Sequence, residues 1–242
     1  MGDKKTKSIH QKIFFTFFGT YSLPRDILVI TPISKIFSIL ENSFPIEEKT
    51  KGWWERLVLK INSSSVTLLK IPSGTNYIQN CLDSLDSKMI KGLIFLGYCT
   101  SFAKEITPGK FVIPTSSVFR KKEIKPFLSK KFLSPKIKKH KIALCHRLLL
   151  VNRGKNLKKT QLGDMETYFL YKFSNLKKIP ALALLLVTDN PEFYPIYNLS
   201  YSQKKKIKSS LGKLPKILRQ WIHKFNRLSY IKNKWIKNQK RK

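Results

Sequence analysis

The sequence predicts an α/β protein built on a sheet buried on both faces. Two patterns and one bulk property carry this. Apolar runs without a polar residue occur at Ile27–Ile30, Gly92–Gly97 and Ala181–Val187, and runs of this length suit strands covered on both sides. Other apolar residues fall at helical spacing, as at Ile33, Ile36, Phe37 and Leu40 and again at Met165, Phe169, Leu170 and Phe173. At 242 residues and 42% hydrophobic content, the chain can build one full core.

Residues 1–25 read as an N-terminal extension, 26–228 as the main domain and 229–242 as a basic tail. In the extension, the run Ile13–Gly19 after a basic start faintly resembles a signal peptide, and Met1-Gly2 with Thr6 fits a myristoylation pattern. The run is too short to cross a bilayer and is expected to pack on the domain as a strand or flap. Ile27–Ile30 is the first buried strand, followed by a loop in which Pro32 suits a first helical turn. Leu57–Ile61 and Ser65–Ile71 read as two strands joined at Asn62-Ser63-Ser64. A helix follows Gly74 as far as Leu85.

The strand from Gly92 is expected to end in a loop, Gly97-Tyr98-Cys99-Thr100-Ser101, whose small and polar residues suit a backbone-lined ligand site. Thr107–Lys110 is a turn and Phe111–Val118 a strand. Residues 119–141, with Pro126, Pro135 and many lysines, read as a surface excursion before a strand at Ile142–Val151. Gln203 to Ser229 reads as a helix interrupted near Pro215, with a frayed end from Asn233.

The formal net charge is +34. Residues 118–160 hold fifteen Lys and Arg against one acid, Glu123, and residues 201–242 hold fifteen with no acid. Such blocks suit nucleic acid or an anionic membrane. A lysine-, asparagine- and isoleucine-rich composition also arises from drift toward A/T-rich codons, and a polyanion contact is not the favoured reading. Cys81, Cys99 and Cys145 form no close-spaced pair, which argues for a reducing, cytoplasmic setting and against a disulfide framework. His10, His140, His146 and His223 lack metal-ligand spacing, so no metal and no cofactor is expected.

Against this basic background, acids are scarce. From residue 124 onward the only ones are Asp164, Glu166, Asp189 and Glu192. Glu166 opens a helix after Gly163-Asp164-Met165. Asp189 ends the buried strand that follows, at Thr188-Asp189-Asn190-Pro191. Ligands of open α/β sheets bind at strand carboxyl ends, so the two acids mark a candidate site. Helix-start electrostatics and turn chemistry are the bland alternative for the same residues.

With these pieces placed, the chain resembles the nucleoside phosphorylase and nucleosidase superfamily across residues 26–225. Gly163-Asp164-Met165-Glu166 is similar to the family's V-E/D-M-E motif, and Val187-Thr188-Asp189 to its I-S-D ending. Gly97–Ser101 stands where the family has a Gly-Ser/Thr-x-Gly loop, and Ser73-Gly74 resembles its small-residue turn. The resemblance implies a three-layer α/β/α phosphorylase-like fold with a central mixed, partly barrel-like sheet. It implies cleavage of the N-glycosidic bond of a purine-type nucleoside, by hydrolysis rather than phosphorolysis. Asp189 would protonate the leaving base. Glu166 would anchor the ribose hydroxyls, with Met165, Asp164, Gly97, Cys99, Thr100 and Thr188 around the substrate. Assembly as a homodimer or higher homo-oligomer is also implied.

The family's nucleosidases carry a glutamate in the loop after the first strand, and its phosphorylases an arginine. Here that loop reads Thr31-Pro32-Ile33-Ser34-Lys35. Ser34 and Lys35 are its candidates for a phosphate or other anion, although Lys35 also reads as a solvated helix lysine. Two alternatives therefore stay open beside the enzyme: a catalytically inactive nucleoside-binding protein of the same fold, and a basic polyanion-binding protein.

Overall fold

A computed structural model describes residues 9–20, 27–85, 90–119, 122–127, 138–144 and 161–239. At the centre of its sheet lies β1 (Ile27–Thr31), parallel to β4 (Ser64–Lys70) on one side and to β5 (Gly92–Ser101) on the other. β5 is in turn parallel to β10 (Ala181–Asp189). Beyond β4, β3 (Glu55–Ile61) and β2 (Ile46–Lys51) continue antiparallel to the sheet edge.

On the other side the sheet closes on itself. β10 pairs with β6 (Phe111–Phe119), β6 with β8 (Lys138–Leu144), β8 with β9 (Leu162–Asp164), and β9 returns to β5. The short β7 (Lys122–Ile124) hairpins onto β6. Register irregularities at Pro114/Ser116 and Val187/Asp189 supply the bends that such closure needs. The mixed sheet is thus open at one end and barrel-like at the other.

Strand parity explains the three layers. Leu28, Ile30, Phe95, Ala183 and Leu185 face one core, shared with α3 (Thr75–Asp83) and α4 (Thr167–Lys177). Their neighbours Val29, Ile94, Leu96, Leu184 and Leu186 face the other, shared with α2 (Ser34–Glu41) and α5 (Tyr201–Gln239). Alternate residues of one strand serve both cores, so the strands contain no polar alternation. Each fully buried Leu or Ile contributes about 1.5–3 kcal/mol of transfer free energy.

Several elements differ from expectation. The N-terminal extension carries a helix, α1 (Ile9–Phe18), rather than a strand. It does pack on the domain: Phe17 stacks on Trp54 at 4.5 Å and Phe18 is buried. β2 went unpredicted because Ile46-Glu-Glu-Lys-Thr-Lys is polar and mostly exposed. Its pairing is reinforced by ions, since buried Arg56 donates to both oxygens of Glu48 at 2.7 and 3.0 Å.

Gly97–Ser101 is not a loop but the last half of β5. Both β10 and β9 hydrogen-bond to it, and neither pairing is visible locally in sequence. β8 begins at Lys138, inside the expected surface excursion, and Cys145–Val151 lies outside the described residues. α5 runs unbroken through Pro215 to Gln239, past the expected frayed end. Leu211, Leu214, Leu218, Trp221, Ile222 and Phe225 bury one continuous face, which outweighs the hydrogen bond lost at the proline. Among the described residues, no helix is long and apolar enough to cross a membrane.

Candidate functional site

β1, β4, β5 and β10 run in the same direction, so their carboxyl ends share one edge of the sheet. A cleft of about 560 Å³ opens there. Its floor and one wall come from Asp164 at the end of β9, Met165 and Glu166 before α4, and Thr188 and Asp189 at the end of β10. Pro32 and Ile33, after β1, also line it.

Glu166 is the N-cap of α4 and is only 4% exposed. Its Oε1 accepts a hydrogen bond from the Gly74 N–H at 2.7 Å, and its Oε2 one from the Met165 N–H at 3.2 Å. Gly74 has φ +123°, where side chains are strained, so glycine alone presents this N–H freely. Burial raises the Glu166 carboxyl above the usual range, and the two N–H donors partly offset that rise.

Asp164 is 2% exposed. Its Oδ2 accepts from the Thr167 N–H at 3.0 Å and from the Thr167 hydroxyl, which fixes the carboxyl against the first turn of α4. Its Oδ1 is buried with no hydrogen-bond partner among the described residues. Burial, followed by the charge of Glu166, pushes this carboxyl up to about 8; the Thr167 bonds oppose the rise.

Asp189 is placed by the β5–β10 register, which sets it beside Thr100. Its Oδ2 accepts from the Thr100 hydroxyl at 2.5 Å and its Oδ1 from the Thr188 hydroxyl at 2.7 Å. The next residue, buried Asn190, closes a turn by accepting from the N–H groups of Glu192 and Phe193 at 3.0 and 3.2 Å. That turn delivers Pro191, Pro195, Ile196 and Tyr197 to the rim of the cleft, with Tyr197 87% exposed. Among the described residues, no group of three or more His, Cys, Asp or Glu side chains could hold a metal ion.

The fold has solved counterparts. A mutant futalosine hydrolase of Helicobacter pylori strain 26695 superposes with a TM-score of 0.65 at 12% identity, over 82% of this chain and 99% of that one. The Campylobacter jejuni 5′-methylthioadenosine/S-adenosyl homocysteine nucleosidase gives 0.67 at 14% identity, over 82% and 99%. Purine nucleoside phosphorylase from Toxoplasma gondii, in complex with immucillin-H, gives 0.68 at 10% identity, over 85% and 93%. The chain has the nucleoside phosphorylase/nucleosidase fold. No family model and no curated protein sequence matches it.

On this nucleosidase fold, the residues singled out from sequence separate into three groups. Asp164, Met165, Glu166, Thr188 and Asp189 line the cleft together. Thr100 stands behind them, buried, with its hydroxyl on Asp189. Cys99, Gly97, Ser34 and Lys35 are placed elsewhere. The Cys99 side chain belongs to the core beneath α4, and burial, with the nearby charges of Asp164 and Asp189, holds its thiol well above the usual range. Gly97 is packed inside the sheet, where a Cβ would come within 2.6 Å of the Phe95 ring. Ser34 and Lys35 are exposed on the first turn of α2 and do not line the cleft.

Sequence reasoning passed over Tyr98 and the rim residues Pro191, Pro195, Ile196 and Tyr197 as site residues. A proline- and aromatic-rich stretch directly after a buried strand was the available signal for the rim. The Gly74 donor lies 92 residues from Glu166 and had no local signal as a partner.

Proposed function

We propose that the protein hydrolyses the N-glycosidic bond of a purine-type nucleoside. The observation that carries this reading is the convergence of Glu166 and Asp189, from two different elements, on one nucleoside-sized cleft of the nucleosidase fold. Breaking the bond builds positive charge on the ribose and negative charge on the leaving base. Glu166, buried and held by two N–H groups, faces the sugar and strengthens its contacts as the sugar becomes cationic. Asp189, held by two hydroxyls, gives its proton to the base. Threonine hydroxyls can donate or accept, so Thr100 and Thr188 support either protonation state.

Water is the nucleophile in this reading. Among the described residues the lining brings no cation to hold a phosphate dianion, and Lys35, the candidate phosphate group, stands outside the lining. A second reading, a nucleoside binder without turnover, draws on the loop after β1, which brings Pro32 and Ile33 rather than an ionisable group. Adenine release from methylthioadenosine, measured with and without phosphate, separates them. Release without phosphate supports hydrolysis, release only with phosphate makes the protein a phosphorylase, and tight binding without release makes it a binder.

A further inference from the structure

We infer that the exposed face of α5 is a docking surface for single-stranded nucleic acid, which its lysines hold by the phosphates. The contact does not depend on turnover in the cleft. Composition alone leaves these lysines as drift; their placement in the fold gathers them into one surface.

Helical spacing sorts α5 into two faces. Leu214, Leu218, Trp221 and Phe225 are buried against the sheet. On the opposite side, Lys205, Lys208, Lys216 and Arg219 fall on one exposed stripe, with exposed Lys213 beside it. At about 1.5 Å per residue the stripe runs roughly 21 Å. Arg219 lies over the Phe44 ring at 5.1 Å, which steadies the end of the stripe. α5 contributes no acid to this face. The ion pairs among the described residues lie elsewhere: Glu41, Glu47, Glu48 and Glu55 take cations of β2, β3 and β4. A row of like charges repels itself until a polyanion neutralises it.

Two further features fit a nucleic acid. Gly212 stands in the stripe between Lys208 and Lys216, and a Cβ there would meet nothing within 4 Å, so packing within the domain does not call for glycine. Glycine is unfavourable inside a helix, and it lets a partner's backbone come close. Aromatic rings stand where the stripe begins. Tyr197, on the cleft rim, is 87% exposed, and Tyr201, the first residue of α5, is 82% exposed. Bases of a single strand stack on such rings while lysines track its phosphates. A lipid surface fits less well, because the apolar side of α5 is already buried in the core and has nothing to insert.

The test compares two variants of the full chain from which equal charge is removed. One carries Lys205→Gln, Lys208→Gln, Lys213→Gln and Lys216→Gln on α5. The other carries Lys122→Gln, Lys125→Gln, Lys172→Gln and Lys177→Gln, at exposed positions on β7, just after it and on α4. Glutamine and lysine have similar helix propensity, so both variants should fold. The probe is a fluorescein-labelled oligothymidylate of about twenty nucleotides, followed by anisotropy as sodium chloride is raised. For wild type, log Kobs should fall linearly with log[salt]. The α5 variant should lose about 0.7 of that slope per lysine and bind at least roughly tenfold more weakly, while the other variant stays within about threefold of wild type. Equal weakening of the two variants overturns the surface and returns the charge to drift. So does a wild type that leaves the oligonucleotide unbound or binds it with a flat salt response. Vesicles of phosphatidylcholine and phosphatidylserine are run alongside. Binding to the vesicles but not to the oligonucleotide, lost in the α5 variant, makes the partner a membrane and overturns the inference.

Discussion

The wall built by β9, α4 and β10 brings three carboxylates to the cleft, whereas the loop after β1 brings Pro32 and Ile33. The first wall is braced except at Asp164 Oδ1, which has no partner among the described residues. Gly74, Met165, Thr167, Thr100 and Thr188 each hold a carboxylate oxygen. The loop after β1 is apolar there, and α2, which follows it, buries Ile36, Phe37 and Leu40. The contrast teaches that the ionisable side chains of the lining come from the elements around α4 and β10, and in the proposed mechanism sugar recognition and base protonation are served from them.

Breaking the braced wall at its acid should have the largest effect. Asp189→Asn keeps shape and polarity but removes the transferable proton, so kcat for adenine release should fall by roughly 10²–10⁴-fold with little change in melting temperature. Glu166→Gln should come next. Losing a charged acceptor of hydrogen bonds is worth about 1.5–3 kcal/mol, or roughly tenfold to hundredfold, felt in kcat as well as KM because the contact strengthens at the transition state. Thr100→Val leaves Asp189 with one hydroxyl fewer and should cost about 1 kcal/mol, roughly fivefold in kcat.

The braced wall should also reveal itself in stability. The Asp164 carboxyl is raised by burial, so the folded state holds its proton more tightly than the unfolded chain. Asp164→Asn should therefore be more stable than wild type at high pH. The gap should open as pH rises from about 4, the unfolded value, to about 8, and vanish at the acid end. Paired thermal melts across this range check the sign; a gap that widens toward acid would contradict the burial of an uncompensated carboxyl. On the apolar side, Lys35→Ala should change turnover by less than about twofold, because the side chain is solvated outside the lining.

The same contrast explains what the sequence made legible. β1, β5 and β10 announced themselves because strands serving two cores carry unbroken apolar runs. Asp164, Glu166 and Asp189 stood out because acids are rare in this half of the chain. Cys99 was misplaced because its parity depends on β5 continuing to Ser101, and that continuation comes from β9 and β10, far away in sequence. β2 was missed because an exposed edge strand needs no apolar alternation, and its support comes from Arg56 and Glu48. Lys35 was considered because the resembled phosphorylases carry an arginine in the loop after the first strand; the first turn of α2 leaves it exposed, as its alternative reading as a solvated helix lysine expected.

The central claim is that this cleft cleaves a nucleoside with water. It is tested most directly by incubating the wild-type protein and Asp189→Asn with methylthioadenosine in phosphate-free buffer and following free adenine. Adenine released by wild type and reduced at least a hundredfold in a folded Asp189→Asn is the expected result. Equal release by both proteins, or nucleoside binding by wild type with no adenine formed, would contradict it.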